Sequence, residues 1–388
     1  MLMRSATGNH AKVTLAAAIG LQILGLASTP AHADSIRSQQ WYLDAMQAEE
    51  MWKTSTGSGV TVAVIDSGVD VSVPDLHGQV LEGRDFTGQL GGANTDTTGH
   101  GTRMALFIGG TGKGEGIFGL APGVKILPLR ASGTNNFETG AAAIASAIRF
   151  AADSDAKVLN ISLSSPGEDS RETDAINYAL KKGKLVFAGV GNSGDKANLA
   201  EYPAATQGVV GIGAVDRQIK AAAWSQHGAQ VVLAAPGSDM VGPCTNGTPG
   251  LCTGDGTSDA TALASASAAL IWSVHPDWTA NQVLRVLINT AGGPKSGEKR
   301  SDTIGYGVVR PRIALQNPGD PGPADVSPLA TQSTSSPSPS AGAKPTGTAR
   351  ASSGNGLLST RNMFAAGIAA VVALAVAVPL LVARRRKA

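Results

Sequence analysis

The chain predicts an α/β fold in which a mainly parallel sheet is sandwiched between helices as three α/β/α layers. Three observations predict it. Short apolar runs alternate along the chain with stretches of helical periodicity. The runs are continuously apolar, as strands buried on both faces require. The residues with chemical promise stand at strand ends and helix starts, where ligands gather in such sheets.

The runs at 59–66 (GVTVAVID), 125–131 (KILPLRA), 156–164 (AKVLNISLS), 184–191 (KLVFAGVG) and 208–215 (GVVGIGAV) read as strands. A helix of small residues starts at His100 (GHGTRMALFIGG). Residues 138–153 and 170–183 carry apolar positions at helical spacing, with Gly183 as a C-cap for the second. Residues 257–275 (TSDATALASASAALIWSVH) read as one long apolar helix beginning at Ser258. Asp34 to Asn317 is therefore the globular part.

The flanks read differently. Residues 1–33 have the form of a secretory signal: Arg4 and Lys12, an apolar stretch from Val13, then Ala31-His32-Ala33, giving a mature start at Asp34. Residues 318–360 are dominated by Pro, Ser, Thr, Gly and Ala, too poor in large apolar groups to offset ordering entropy, and read as a disordered tether. Residues 363–383 are apolar without a charge, long enough for a helix across about 30 Å of hydrocarbon. The basic tail 384–388 follows at once and belongs on the cytoplasmic side. The expected location is the cell membrane, single-pass, with the globular part outside.

Bulk composition narrows the function. Charged residues make up 15% of the 388 and the formal net charge is +2, so no broad basic field calls for nucleic acid. Two cysteines, Cys244 and Cys252, cannot build a disulfide framework or a four-cysteine zinc site. In an exported protein they read as one local disulfide, against the alternative of two free thiols. No EF-hand-like ligand spacing occurs; neither a metal nor a cofactor is expected.

Three glycine-flanked segments, in the order Asp, His, Ser, carry the chemistry: VIDSGVD at Asp66, TGHGTRMA at His100 and DGTSDATA at Ser258. A hydroxyl becomes a nucleophile when a base takes its proton, and the base needs an anion to orient it. Ser258 opens a helix whose first N–H groups are unpaired and suit an oxyanion; alternatively it only caps that helix. His100 carries an imidazole with an ordinary pKa of about 6.5, fit to accept and return a proton. Asp66 closes an apolar strand, where an unpaired carboxylate is costly; a metal ligand or a turn cap are its other readings. Asn192, in FAGVGNSGD, can donate its amide to an oxyanion or serve as a turn residue. Ser162, Leu163 and Ser164 end a strand whose edge can pair with an extended peptide, or form a plain loop.

These motifs resemble subtilisin-like serine peptidases, and in particular the mycosins of type VII secretion. LAPGVKILPLRAS, AAPGSDM and HPDWTANQVLRVLINTA extend the similarity over nearly the whole mature chain. The resemblance implies the subtilisin three-layer sandwich over 59–317, with 34–58 as an N-terminal extension packed on it. It implies a triad of Asp66, His100 and Ser258, with Asn192 as oxyanion donor and Ser162 to Ser164 on the substrate-pairing strand. The expected function is a membrane-anchored serine endopeptidase acting on polypeptides beside a type VII secretion complex. The alternative is a structural component of that complex with little proteolysis. The chain departs from the family after both reactive residues. Arg103 and Leu106 follow His100 where a second His and a Gly are usual, Ala262 and Ala264-Ser265-Ala266 follow Ser258, and Ser164 stands where a glycine often lines the cleft.

Overall fold

The computed structural model describes residues 35–113, 116–132, 137–245 and 250–329. The expected signal peptide, the segment 363–383 and the tail 384–388 lie outside the described residues. Among the described residues no helix is long and apolar enough to cross a membrane.

Seven parallel strands form the central sheet: β1 (Thr61–Asp66), β2 (Arg84–Asp85), β3 (Lys125–Arg130), β4 (Val158–Ile161), β5 (Leu185–Gly189), β6 (Val210–Val215) and β7 (Val231–Pro236), in the spatial order β2-β3-β1-β4-β5-β6-β7. Winding runs outward from β1 in one direction through β3 and in the other from β4 to β7. The reversal lies beside β1, and the crevice at the strands' carboxyl ends opens there.

The strands are buried on both sides, and their alternate residues feed two cores. Val62 and Val64 of β1 join one core with α4 (His100–Gly109), α7 (Thr257–Val274) and α8 (Ala280–Thr290). Ala63 and Ile65 join the other with α5 (Phe137–Asp153) and α6 (Ser170–Lys181). The predicted α/β/α layering is thus observed. α7 is buried almost all round, which explains its continuous apolar sequence. α6 ends as predicted: Gly183 has φ +75° and its N–H bonds the Leu180 carbonyl.

The N-terminal segment forms three short helices, α1 (Ile36–Gln39), α2 (Trp41–Ala45) and α3 (Ala48–Trp52). Tyr42 is fully buried and meets Phe107 of α4 edge-to-face, with centroids 5.5 Å apart. Gln40 bonds both the N–H and the carbonyl of Phe118.

The structure differs from the sequence reading in three ways. β2, β7 and α8 went unread, and so did the antiparallel pair β8 (Met240–Pro243) and β9 (Leu251–Gly254). β4 ends at Ile161, so Ser162 to Ser164 lie beyond the sheet rather than in it; Ser165 then pairs with Tyr202. The stretch 318–329, expected to open the tether, is docked on α8. Arg285 reaches the carbonyls of Pro321 and Pro323 at 2.6 and 3.1 Å, Gln282 reaches Gly322 and Thr279 reaches Ala324. Leu329 packs into the core. Side-chain donors hold this backbone, a device that composition does not reveal. α9 (Pro311–Gln316) precedes it.

Candidate active site

Four sequence segments converge at the carboxyl edge of the sheet. Asp66 is the last residue of β1 and is almost fully buried. Its Oδ1 accepts from His100 Nδ1 at 2.8 Å and from the Ser67 N–H at 2.7 Å; Oδ2 has no partner among the described residues. His100 is the first residue of α4. Gly101 lets that helix approach, because a Cβ there would stand 2.1 Å from the Gly68 carbonyl oxygen and 3.0 Å from Asp66 Cβ.

Asp96 anchors the same turn, and sequence reasoning missed it. Its Oδ1 accepts from the Gly99 N–H at 2.9 Å and from Ser67 Oγ, and its Oδ2 accepts from the Thr102 N–H at 2.8 Å. The anion thus caps the helix that carries the histidine. The signal was a carboxylate four residues before His100.

Burial opposes charging the His100 ring. The Asp66 carboxylate overrides it through its charge and hydrogen bond, Asp259 and Asp96 add their fields, and the imidazole is pushed up to about 9.

Ser258 is the second residue of α7, in its first turn; the N-cap is Gly256, which has no side chain to offer. Asn192 follows β5. Thr257 fixes its amide: the Thr257 N–H and Oγ1 both donate to Asn192 Oδ1 at 2.9 Å, leaving Nδ2 as the free donor. Thr257 went unread because its role depends on contact with a residue 65 positions away. His100, Asn192 and Ser258 line one cavity of about 490 Å³. Ser162 Oγ lies 3.5 Å from the Ser258 carbonyl oxygen and accepts from Asn160 Nδ2; Leu163 is half-buried; Ser164 Oγ donates to Glu201.

The cavity's other wall is the β8–β9 hairpin, closed by a Cys244–Cys252 disulfide with Cα atoms 4.8 Å apart. Beneath it lies a buried ion pair the sequence did not suggest. Arg103, one turn after His100, meets Asp259, the residue after Ser258, at two points: Nε to Oδ1 at 3.1 Å and Nη2 to Oδ2 at 2.9 Å. Its remaining donors reach the carbonyls of Met240 at 2.7 Å and Pro243 at 3.1 Å. Burial pushes the Asp259 carboxyl above the ordinary carboxylate range, and the guanidinium works against that push. The two helices bearing His100 and Ser258 are tied together at this point.

The other described histidines lie apart: His77 contacts the Ser72 carbonyl, the His227 N–H donates to Asn198 Oδ1, and His275 stacks on Trp278. Among the described residues no group of three or more His, Cys, Asp or Glu is placed to hold a metal ion.

A carboxylate-oriented imidazole and a serine at a helix start, lining one cavity of a parallel α/β/α sandwich, define the class of subtilisin-like folds. The model of the subtilase family matches residues 57–307, more than half of the sequence, and the chain belongs to that family. It is 39% identical over 196 residues to a thermophilic serine proteinase of Bacillus sp. (strain AK1), covering 50% of this chain and 48% of that protein. It is 31% identical over 329 residues to fervidolysin of Fervidobacterium pennivorans, covering 76% and 46%. The chain therefore spans about half the length of these two relatives. Among solved structures it resembles MycP1 from Mycobacterium smegmatis, with a TM-score of 0.65 and 28% identity over 74% of this chain and 86% of that one. The MycP3 protease of the ESX-3 type VII secretion system aligns with a TM-score of 0.62 at 29% identity, over 71% and 87%.

Proposed function

We propose that this chain is a membrane-anchored, extracytoplasmic serine endopeptidase associated with type VII secretion. The observation that carries the chemistry is the 2.8 Å contact between His100 Nδ1 and Asp66 Oδ1 in a cavity that Ser258 and Asn192 also line. With Nδ1 committed to Asp66, Nε2 is the nitrogen that takes the Ser258 proton. The serine oxygen attacks a peptide carbonyl, and the Asn192 Nδ2 and Ser258 N–H groups receive the oxyanion. The imidazolium protonates the leaving amine, and water then releases the acyl group by the same route. Extended peptide lies along Ser162 to Ser164. The signal-like residues 1–33 and the apolar stretch 363–383 support the exported, anchored location. The solved MycP structures, among them MycP1 as an essential component of the type VII (ESX-1) secretion system, support the secretion partner.

Covalent labelling by a fluorophosphonate tests the nucleophile. Wild-type chain is expected to label and Ser258→Ala is not; equal labelling of the two removes Ser258 from the role. Restoration of secretion by Ser258→Ala in a deletion strain would favour the structural reading.

A further inference from the structure

His100 and Ser258 stand on different helices, and the one ring bond of His100 among the described residues goes to Asp66. The side-chain hydrogen bonds that join the two helices among the described residues are those of a single pair, the Arg103 fork on the Asp259 carboxylate, at 3.1 and 2.9 Å. Arg103 lies one turn after His100, on the same face of α4, and Asp259 directly follows Ser258. Both line the cavity that His100 and Ser258 line.

The surroundings are shaped to hold this pair. Both side chains are 5% exposed. The guanidinium stands 4.8 Å from the centroid of the Phe107 ring, and its other donors reach the Met240 and Pro243 carbonyls. Gly242 of β8 makes room: a Cβ there would stand 3.0 Å from Arg103 Nη1 and 2.9 Å from Phe107 Cζ. A buried ion pair adds little stability over well-packed apolar side chains in the same space. Apolar groups would bind the two helices as firmly. They would not fix the register, because a planar fork on a carboxylate accepts one mutual orientation and apolar contact accepts many. Nor would they bring a charge to the base.

That charge has few neighbours. His100 is met by Asp66 from β1, by Asp96 from the turn before α4 and by Asp259 from α7, all of which favour the protonated ring. Asp259 is met by Arg103 and His100 from α4 and by Asp255 ahead of α7, and its field reaches Tyr42 of α2. The next step rests on the peptidase reading above. We infer that Arg103 and Asp259 are positioning residues for the reaction: their fork sets the register of α4 against α7 so that His100 serves Ser258, and the Asp259 carboxylate adds negative charge beside the base.

The test separates fork from charge in full-length chain. It follows phosphonylation by a small fluorophosphonate across pH, and kcat and KM on a fluorogenic peptide that the wild-type chain cleaves. Arg103→Lys keeps the charge and loses the fork; kcat is expected to fall on the order of tenfold or more with KM little changed and the pH midpoint in place. Asp259→Asn keeps the shape and loses the charge; the midpoint is expected to fall by on the order of half a unit or more. The double variant Arg103→Met, Asp259→Leu buries no charge, and is expected to recover urea resistance relative to Arg103→Met without recovering kcat. It decides the matter where a single variant shows no cooperative urea transition. Wild-type kcat in Arg103→Lys or in the double variant, or an unmoved midpoint in folded Asp259→Asn, overturns this inference and leaves the peptidase reading standing. A wild-type chain that neither labels nor cleaves overturns the peptidase reading, and this inference falls with it.

Discussion

Replacing Arg103 by Met strands a carboxylate inside the protein. The Arg103 and Asp259 side chains are each 5% exposed and meet at 2.9 and 3.1 Å. Charge centres about 4 Å apart, at an effective dielectric of about 20, attract by about 4 kcal/mol. Much of this offsets the desolvation of both ions, so the pair's net worth is small and the loss of one partner is large. Arg103→Met is expected to lower stability by about 3–5 kcal/mol, and Asp259→Leu by less, because the guanidinium keeps the Met240 and Pro243 carbonyls. The double variant Arg103→Met, Asp259→Leu buries no charge. It should cost about 1–2 kcal/mol for the carbonyls left behind, giving a coupling of at least about 2 kcal/mol. Urea denaturation in a Ser258→Ala background, which removes the proposed nucleophile, measures all three. Single variants within about 0.5 kcal/mol of the parent, or a double variant equal to the sum of the singles, would refute the reasoning.

Three further outcomes follow from the site. Catalysis needs a neutral His100, so kcat/KM is expected to rise with pH through an apparent pKa of about 9, and Asp66→Asn to move that midpoint downward; a pH–rate profile reads both. The linked stability has the opposite sense. A folded-state pKa raised above the ordinary 6.5 stabilises fully below about pH 6.5, and that contribution is lost as pH climbs through about 9, which denaturation midpoints across pH will show. Reducing the Cys244–Cys252 bridge, which spans a sequence separation of 8, should cost about 2–3 kcal/mol, measured as the shift in urea midpoint with and without reductant.

Local sequence carried most of the architecture. Five of the seven sheet strands announced themselves as apolar runs because parallel strands are buried on both faces, and Asp66, His100, Asn192 and Ser258 stood out beside glycines. What stayed hidden was pairwise. Arg103 and Asp259 are 156 residues apart, and each alone looks like a solvated charge. Glu201 next to Tyr202-Pro203 carries no local mark, and its hydrogen bond from Ser164 Oγ comes only with the fold. Asp96 looked like one more residue of a polar loop until the helix it caps was in place. The stretch 318–329 misled because composition counts apolar area and does not count the donors of Arg285, Gln282 and Thr279.

α7 sets how this molecule can change over evolutionary time. From Ala260 to Trp272 every side chain of that helix is enclosed by the sheet and neighbouring helices, so Ser258 rides on a part of the protein with no room to drift. Change around the cavity must therefore arise at the periphery, in the hairpin bearing the disulfide and in the segment around Ser164. The reactive hydroxyl keeps its station while its surroundings are rewritten, and diversification need not rebuild the chemistry each time.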